Sequence, residues 1–504
     1  MADLLIRNAN IITLDPRRPR ASALAIAGGR ITAIGETTEI EMMAGDGPVV
    51  DLCGQTVVPG FIDSHVHFTW TGVRPFAVDL SLAHTTTDVL NLVAARVAAS
   101  APGELIFGRG FEAAVCPRRG DLDHVAPGNP VLLQGTTGHF AVGNSRMIRR
   151  LGLAEGDEGL DADGRLRGRA NTRAAWRVPS EFAAQVGWEQ VFGAATDAAL
   201  RAGITTLHAL EGEDRADDPA VLALLRLAPD LPVRVVVYYQ TIDVAAVTRL
   251  GLPRIGGCIW IDGDFEPHTA ALKEPYADDP ASSGCLYFDD AAVNTFVERA
   301  HRAGLQIALH CFGDAAVAQV LRAYRRAIEV VPRPDHRHRI EHFEVYDAEL
   351  LDATRAIGVH VAIQPPFDGH FGGIATNEHF LGPERARRAD AVRTFMEHNI
   401  PAGGGSDCPV TPLSPLYGIH CAVNHSNPVE RITVQRAIEL FTIDNARLAF
   451  EEDDKGTLEV GKLADLTVLH EDPFQVEPER IKDIEVIMTI VGGVVRWRAH
   501  GGSC

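Results

Sequence analysis

Long apolar stretches are missing from this sequence. No run of 18 or more apolar residues occurs in its 504 positions, so no membrane-spanning helix is expected. Cysteine is scarce as well: eight in a chain of this length exclude a disulfide scaffold and point to a reducing cytoplasm. Cys53, Cys285, Cys421 and Cys504 read as small buried hydrophobes. Basic residues are outnumbered, 47 Lys and Arg against 67 Asp and Glu, for a formal charge of −20. That balance argues against nucleic acid or an anionic membrane as partner, because both dock on basic patches. The opening MADLLIRNANIITLDP alternates and carries charges early, unlike the basic-then-apolar pattern of a signal peptide. No repeat or low-complexity segment stands out, and Gly501-Gly502-Ser503-Cys504 reads as a plain tail. What is present is ordinary globular material, 46% apolar and 23% charged, enough for a large core.

Within it, Val57 to Trp70 reads VVPGFIDSHVHFTW. Val57, Val58, Phe61 and Ile62 have the character of a buried strand, with Pro59-Gly60 as an irregularity. Residues i and i+2 of a strand share a face, so His65 and His67 aim the same way from its end. Two such imidazoles can chelate a divalent cation at ~2.0–2.1 Å, or merely hydrogen-bond in a core.

The first fifty residues read as short strands: Leu4 to Leu14, Ala23 to Ile34 turning at Gly28-Gly29, and Val49 to Leu52. The end of the chain looks the same, with Leu463 to Leu469 and Glu485 to Trp497 turning at Gly492-Gly493. Residues 1–56 and 455–504 are therefore expected to meet in one composite β-sandwich. Between them eight apolar runs begin near Val57, Ile204, Val233, Cys258, Leu305, Arg339, Gly358 and Pro401. Helical patterns such as Asp290 to Ala303 and Ala315 to Val330 separate most of them. Eightfold strand–helix alternation argues for a closed α/β barrel of TIM type over 57–69 and 200–454, with an open doubly wound sheet as the alternative. Residues 70–199 are too many for a loop and read as an inserted subdomain over one barrel mouth.

Chemistry in such barrels sits at the C-terminal ends of the strands. The fifth run ends in His310, the sixth in His342, and the eighth in Gly403-Gly404-Gly405-Ser406-Asp407. Singly, each histidine could be a satisfied polar residue and Asp407 a turn cap. Together, runs one, five, six and eight bring His65, His67, His310, His342 and Asp407 to one rim. That set suits Zn²⁺ or a similar ion. An open metal site lowers the pKa of a coordinated water from about 15.7 to ~7. Asp407 is the natural group to take the nucleophile's proton and pass it to a leaving nitrogen.

The sequence at this point resembles the amidohydrolase superfamily, in the branch containing N-substituted formamide deformylase. The likeness covers nearly the whole chain. It rests on Gly60 to His67, on Asp262-Gly263 followed by Thr269 to Leu272, and on HCFGDAA from His310. It continues through Arg339 to Phe343, Gln364-Pro365, GSDCPV from Gly405 and GKLADLTVL from Gly461. The resemblance implies a distorted (β/α)₈ barrel, a β-sandwich from both termini, metal-dependent hydrolysis of C–N bonds and a homo-oligomer, expected as a dimer. It implies metal-ligand roles for the same five residues, with Asp407 as proton shuttle. One departure stands out. Where relatives often carry a lysine that is carboxylated to bridge two metals, this chain has Cys258. A thiolate is a good zinc ligand, so Cys258 joins the candidate ligands and the number of ions stays open at one or two. Cys258, Trp260 and Asp262 would share a strand face, which makes Asp262 another possible ligand or substrate contact.

His139, in Gly138-His139-Phe140, resembles a Gly-His pair that the family places near substrate. Trp70 and Phe111 are expected as pocket walls. Cys311 and Cys408 read as core, His208 as a neighbour of the site or nothing, and Arg339 and Glu341 as structural ions. The function expected is metal-dependent hydrolysis of an amide-type C–N bond in a small organic molecule. Hydrolytic deamination or opening of a cyclic amide or lactone would use the same chemistry. A metal-binding but inactive protein is a third reading, disfavoured by Asp407, since a purely structural site needs no base.

Overall fold

The computed structural model describes residues 3–44, 47–136, 138–212, 215 and 217–499. The tail with Cys504 lies outside them. At the centre, eight parallel strands run in order: Phe61–Val66, Ile204–Glu211, Arg234–Tyr239, Arg254–Ile255, Gln306–Cys311, Arg339–His342, His360–Ile363 and Ala402–Gly404. The first and eighth strands meet just beyond their ends. The Asp407 N–H donates to the His65 carbonyl at 2.8 Å, and the His67 N–H to the Cys408 carbonyl at 3.0 Å. The sheet is therefore a nearly closed barrel, as the alternation of runs implies. Helices such as Asp290–Arg302 and Asp314–Val330 cover it, each burying one apolar stripe.

The chain enters this barrel differently from expectation. The single strand expected from Val57 is two. Thr56–Pro59 pairs with Leu466–Leu469 and Asn10–Ile12 in an outer sheet, and the barrel strand begins only at Phe61. Gly60 is the joint. A Cβ there would lie 2.4 Å from both γ atoms of Thr205, so no larger residue fits without displacement. The outer sheet has six strands, in the order Val494–Arg498, Val486–Val491, Leu466–Leu469, Thr56–Pro59, Asn10–Ile12 and Arg20–Ala21. A four-stranded sheet of Arg30–Gly35, Ala23–Ala27, Leu4–Arg7 and Val49–Asp51 lies with it over a shared apolar core. The Gly-Lys-Leu-Ala-Asp stretch pins this assembly to the barrel. Asp465 takes Arg234, the first residue of the third barrel strand, at 2.7 and 3.1 Å, and accepts the Gly492 N–H at 2.7 Å.

The fourth barrel strand is only Arg254–Ile255, not the longer one expected near Cys258. Gly256 and Gly257 follow with φ of +94° and +58°, a left-handed conformation that ends the extended run. Cys258 to Asp262 is consequently irregular, held by Ile261 N–H to His310 C=O at 3.1 Å and His310 N–H to Ile259 C=O at 3.1 Å.

Between the first two barrel strands a second, five-stranded sheet forms from Arg165–Leu166, Ala141–Gly143, Val131–Gly135, Ile106–Phe111 and Val78–Asp79. Its helix Thr86–Ala98 starts on a capping box, in which the Thr85 hydroxyl accepts the Asp88 N–H and Asp88 accepts the Thr85 N–H. The long helices Gly168–Val186 and Trp188–Arg201 lead back to the barrel. Cys311, Cys408 and Cys421 are buried as read, and Cys116 and Cys258 are buried as well. Cys53 and Cys285 are exposed, against expectation, because each lies on an irregular connection.

Gly60→Ala is expected to destabilise the protein by about 1–3 kcal/mol, the scale of an overpacked site. An unchanged urea midpoint would show that Thr205 yields freely.

Candidate metal centre

Three of the candidate ligand rings, those of His65, His310 and His342, have their orientation set by a second partner. His65 ends the first strand fully buried, and its Nδ1–H donates to Glu341 Oε2 at 2.7 Å. Nε2 then carries the lone pair. It lies 3.3 Å from Asp407 Oδ1, which is also 3.0 Å from His67 Nε2. His342 Nδ1–H donates to Gln364 Oε1 at 2.7 Å, and Gln364 is fixed in turn by donating to the Ala362 carbonyl at 3.2 Å. His310 Nε2–H donates to the Gly263 carbonyl at 3.2 Å. The free nitrogens of these two rings face one atom: Cys258 Sγ, 3.6 Å from His310 Nδ1 and 3.9 Å from His342 Nε2. Tying one imidazole nitrogen to a carbonyl or carboxylate fixes the tautomer and raises the basicity of the other, which is how metal-ligating histidines are held.

Two groups of donors lie with their atoms within 4.8 Å of one another: His65, Cys258 and His342, and His65, His67 and Asp407. His65 belongs to both. His65 Nε2 and Asp407 Oδ1, 3.3 Å apart, are both buried without a hydrogen-bond partner. Buried polar atoms left unsatisfied at one point are what a cation would satisfy. Nitrogen, thiol and carboxylate donors of this kind suit Zn²⁺. The residues fit such an ion.

The electrostatics agree. Burial alone would push the Asp407 carboxyl up. His65 and His67 outweigh it and hold the carboxyl well below the usual carboxylate range. Burial likewise opposes charge on His65 and His67, yet Asp407 raises both. His310 and His342 go the other way, lowered by burial and by neighbouring histidines, His342 to about 4. The backbone is also bent to purpose. His342 and Asp407 have φ of +73° and +54°. Non-glycine residues in this region cost roughly 1–3 kcal/mol each and cluster at functional sites. The turn at His342 explains why both it and Glu341 reach the same centre although neighbours in a strand face opposite ways.

Beneath the rings lies a buried ion pair. Arg339 meets Glu341 at 2.8 and 2.7 Å, donates to the Ser64 carbonyl at 2.9 Å and to His208 Nδ1 at 3.2 Å, and stacks over Tyr238 at 4.5 Å. Gly405 is required above it, since a Cβ would come within 2.7 Å of His65 Cβ.

The mouth opens into a cavity of about 310 Å³. Trp70 and His139 line it, the first stacked on His67 at 4.7 Å, the second on Trp260 at 4.3 Å. Burial lowers His139 to about 3, so it is neutral at physiological pH. Two expected contacts are elsewhere. Phe111 is fully buried in the core of the inserted sheet, 5.3 Å from Phe140, because its strand turns that side chain inward. Asp262 is not among the residues lining the cavity; it accepts the backbone N–H groups of Ala271, Phe312 and Gly313 at 2.8–2.9 Å, with Oδ1 3.7 Å from His310 Nε2. It cannot share a strand face with Cys258, since no strand exists there. Trp176, 5.6 Å from His67 and 4.8 Å from Trp260, and Phe367 were not foreseen. Trp176 sits on a helix of the insertion with no motif around it. The segment that carries Phe367 is helical over Pro366–His370 and again from Gly373. Pro366 at a first helical position was the available signal.

A barrel with histidines at the ends of strands one, five and six and an aspartate beyond strand eight defines a class, and comparison with known proteins agrees. The profile of the amidohydrolase family matches residues 48–496, and the chain belongs to that family. It is 28% identical to the putative amidohydrolase YtcJ of Bacillus subtilis over 96% of this chain and 97% of that protein. It is 27% identical to the N-substituted formamide deformylase of Arthrobacter pascens, covering 99% of each. The crystal structure of an uncharacterized metal-dependent hydrolase from Pyrococcus furiosus superposes with a TM-score of 0.75 and 27% identity, over 94% of this chain and all of that one.

Arg339→Met, which strands the buried Glu341 carboxylate, is expected to cost about 3–5 kcal/mol of stability. The double variant Arg339→Met/Glu341→Gln should recover part of that loss. Equal urea midpoints for the single variant and the parent would refute the pairing.

Proposed function

We propose that this protein hydrolyses an amide-type C–N bond of a small organic substrate with a divalent metal, Zn²⁺ by donor chemistry. His65, His67, Cys258, His310, His342 and Asp407 would hold it, as one ion or two. The observation that carries this reading is the convergence of lone pairs: three buried rings with their far nitrogens tied, around Cys258 Sγ and Asp407 Oδ1. When bound, such an ion polarises the bond under attack and makes water a nucleophile near neutral pH.

The chain's own residues supply the rest. Asp407, ionised at neutral pH, accepts the attacking water's proton and delivers it to the departing nitrogen, so that an amine leaves uncharged rather than as an amide anion. Neutral His139, at the cavity wall, donates to the carbonyl oxygen as charge develops on it. Trp70 holds His67 in place by stacking and walls the pocket. The likeness to a formamide deformylase and to metal-dependent hydrolases supports the same chemistry.

Asp407→Asn is expected to lower turnover at least ~10²-fold on any amide the protein cleaves, with the fold intact. Activity near that of the parent would exclude Asp407 as proton carrier. Cys258→Ala should lower metal content under chelator challenge and remove most activity. Thiol titration of the metal-free parent should reveal one additional reactive group. Full metal retention in Cys258→Ala, with less than about a tenfold loss in rate, would make Cys258 a packing residue.

A further inference from the structure

The cavity wall beyond the candidate metal centre has a one-sided character. Trp260, Phe265, Phe312 and Phe380 give it apolar faces. Among the described residues, every formally charged side chain lining it other than Asp407 is also acidic, namely Glu112, Asp264, Glu266 and Asp390, and no lysine or arginine lines it. Asp390 is occupied by Asn377 at 2.6 Å. Glu112 and Glu266 have no ion-pair partner among the described residues, and both are exposed at the mouth. Glu266 is pushed up to about 7, by burial first and then by Asp264 and Glu112, with no cation relieving it. Opposite these acids, at the floor, Asp407 Oδ1 lies 3.3 Å from His65 Nε2 and 3.0 Å from His67 Nε2, in the candidate metal centre. Negative charge without a cation therefore faces one end of this space, and the candidate metal centre faces the other.

From this we infer that the substrate carries a positive charge, an ammonium group on an apolar, ring-sized body, at the end remote from the bond that is cleaved. Aromatic faces and carboxylates around one space attract a cation through the ring quadrupoles and by direct Coulomb attraction. An anionic substrate would meet four carboxylates and no guanidinium or ammonium to receive it. The inference rests on the proposed hydrolase reading, which it narrows to cationic amides.

The test uses the pair benzyltrimethylammonium and neopentylbenzene, identical in shape and different only in the charged nitrogen. Neither coordinates a metal or can be hydrolysed, so binding is read without turnover. Calorimetric or fluorescence titration is done on metal-loaded and on chelator-treated protein. The cation is expected to bind at least about tenfold more tightly than its neutral isostere. The double variant Glu112→Gln/Glu266→Gln should cut that preference to less than about threefold while leaving the neutral probe unchanged. Both residues are at the surface, so the variant is expected to fold; circular dichroism and the parent's affinity for the neutral probe verify it. Equal binding of the two probes, no binding of either, or a preference that survives the double variant would each overturn the inference. Failure of the hydrolase reading itself would show separately, as no retained metal and no cleavage of any amide, whatever the probes do.

Discussion

Arg339 places a full positive charge in the dry centre of the barrel, and Glu341 is what makes that state tolerable. A lone guanidinium there would be costly to desolvate; paired at two points with a carboxylate it is held. The remaining donors of Arg339 reach the Ser64 carbonyl on the first strand and His208 on the second, and its face rests on Tyr238 of the third. Strands one, two, three and six are thereby gathered on one cation. Glu341 passes the constraint upward by accepting from His65 Nδ1. The direction of the His65 lone pair, and with it both donor groups at the mouth, follows from a charge that never contacts the cavity.

The metal-site candidates were legible because strands announce themselves by apolar runs and barrels place chemistry at strand ends. Nothing more than that placed His310, His342 and Asp407 beside His65 and His67. The partners that aim the rings were less legible. Glu341 and Arg339 are visible as charges in a buried strand, but which histidine they serve depends on the neighbour across the barrel. Where regular geometry stops, periodicity misleads. Gly256-Gly257 ends the fourth strand early, so the expected shared face of Cys258, Trp260 and Asp262 dissolves. Asp262 is spent on three backbone N–H groups, and Phe111 on the core of the inserted sheet.

The division of labour between barrel and insertion follows the same line. The barrel strands and the segments just past their ends present the convergent nitrogen, sulfur and oxygen atoms. The insertion contributes His139 and Glu112, and the segment after the seventh strand contributes Phe367 and Phe380. Those surfaces decide what approaches the centre, and they can change without touching the rings. Families built on barrels diversify in this way, with loops varying over a constant rim.

The joint at Gly60 has a consequence for anyone wishing to dissect the molecule. Thr56 to Val66 is one unbroken stretch of chain that begins as a strand of the outer sheet and carries His65 five residues past Gly60. Asp465, whose carbonyl accepts the Gly60 N–H at 2.8 Å, clamps that sheet onto the third barrel strand. The barrel therefore cannot be excised as a minimal enzyme by trimming the β-rich ends. A truncation would remove the anchor from which His65 is held out, and the catalytic face would lose its alignment before any of its own residues had been cut.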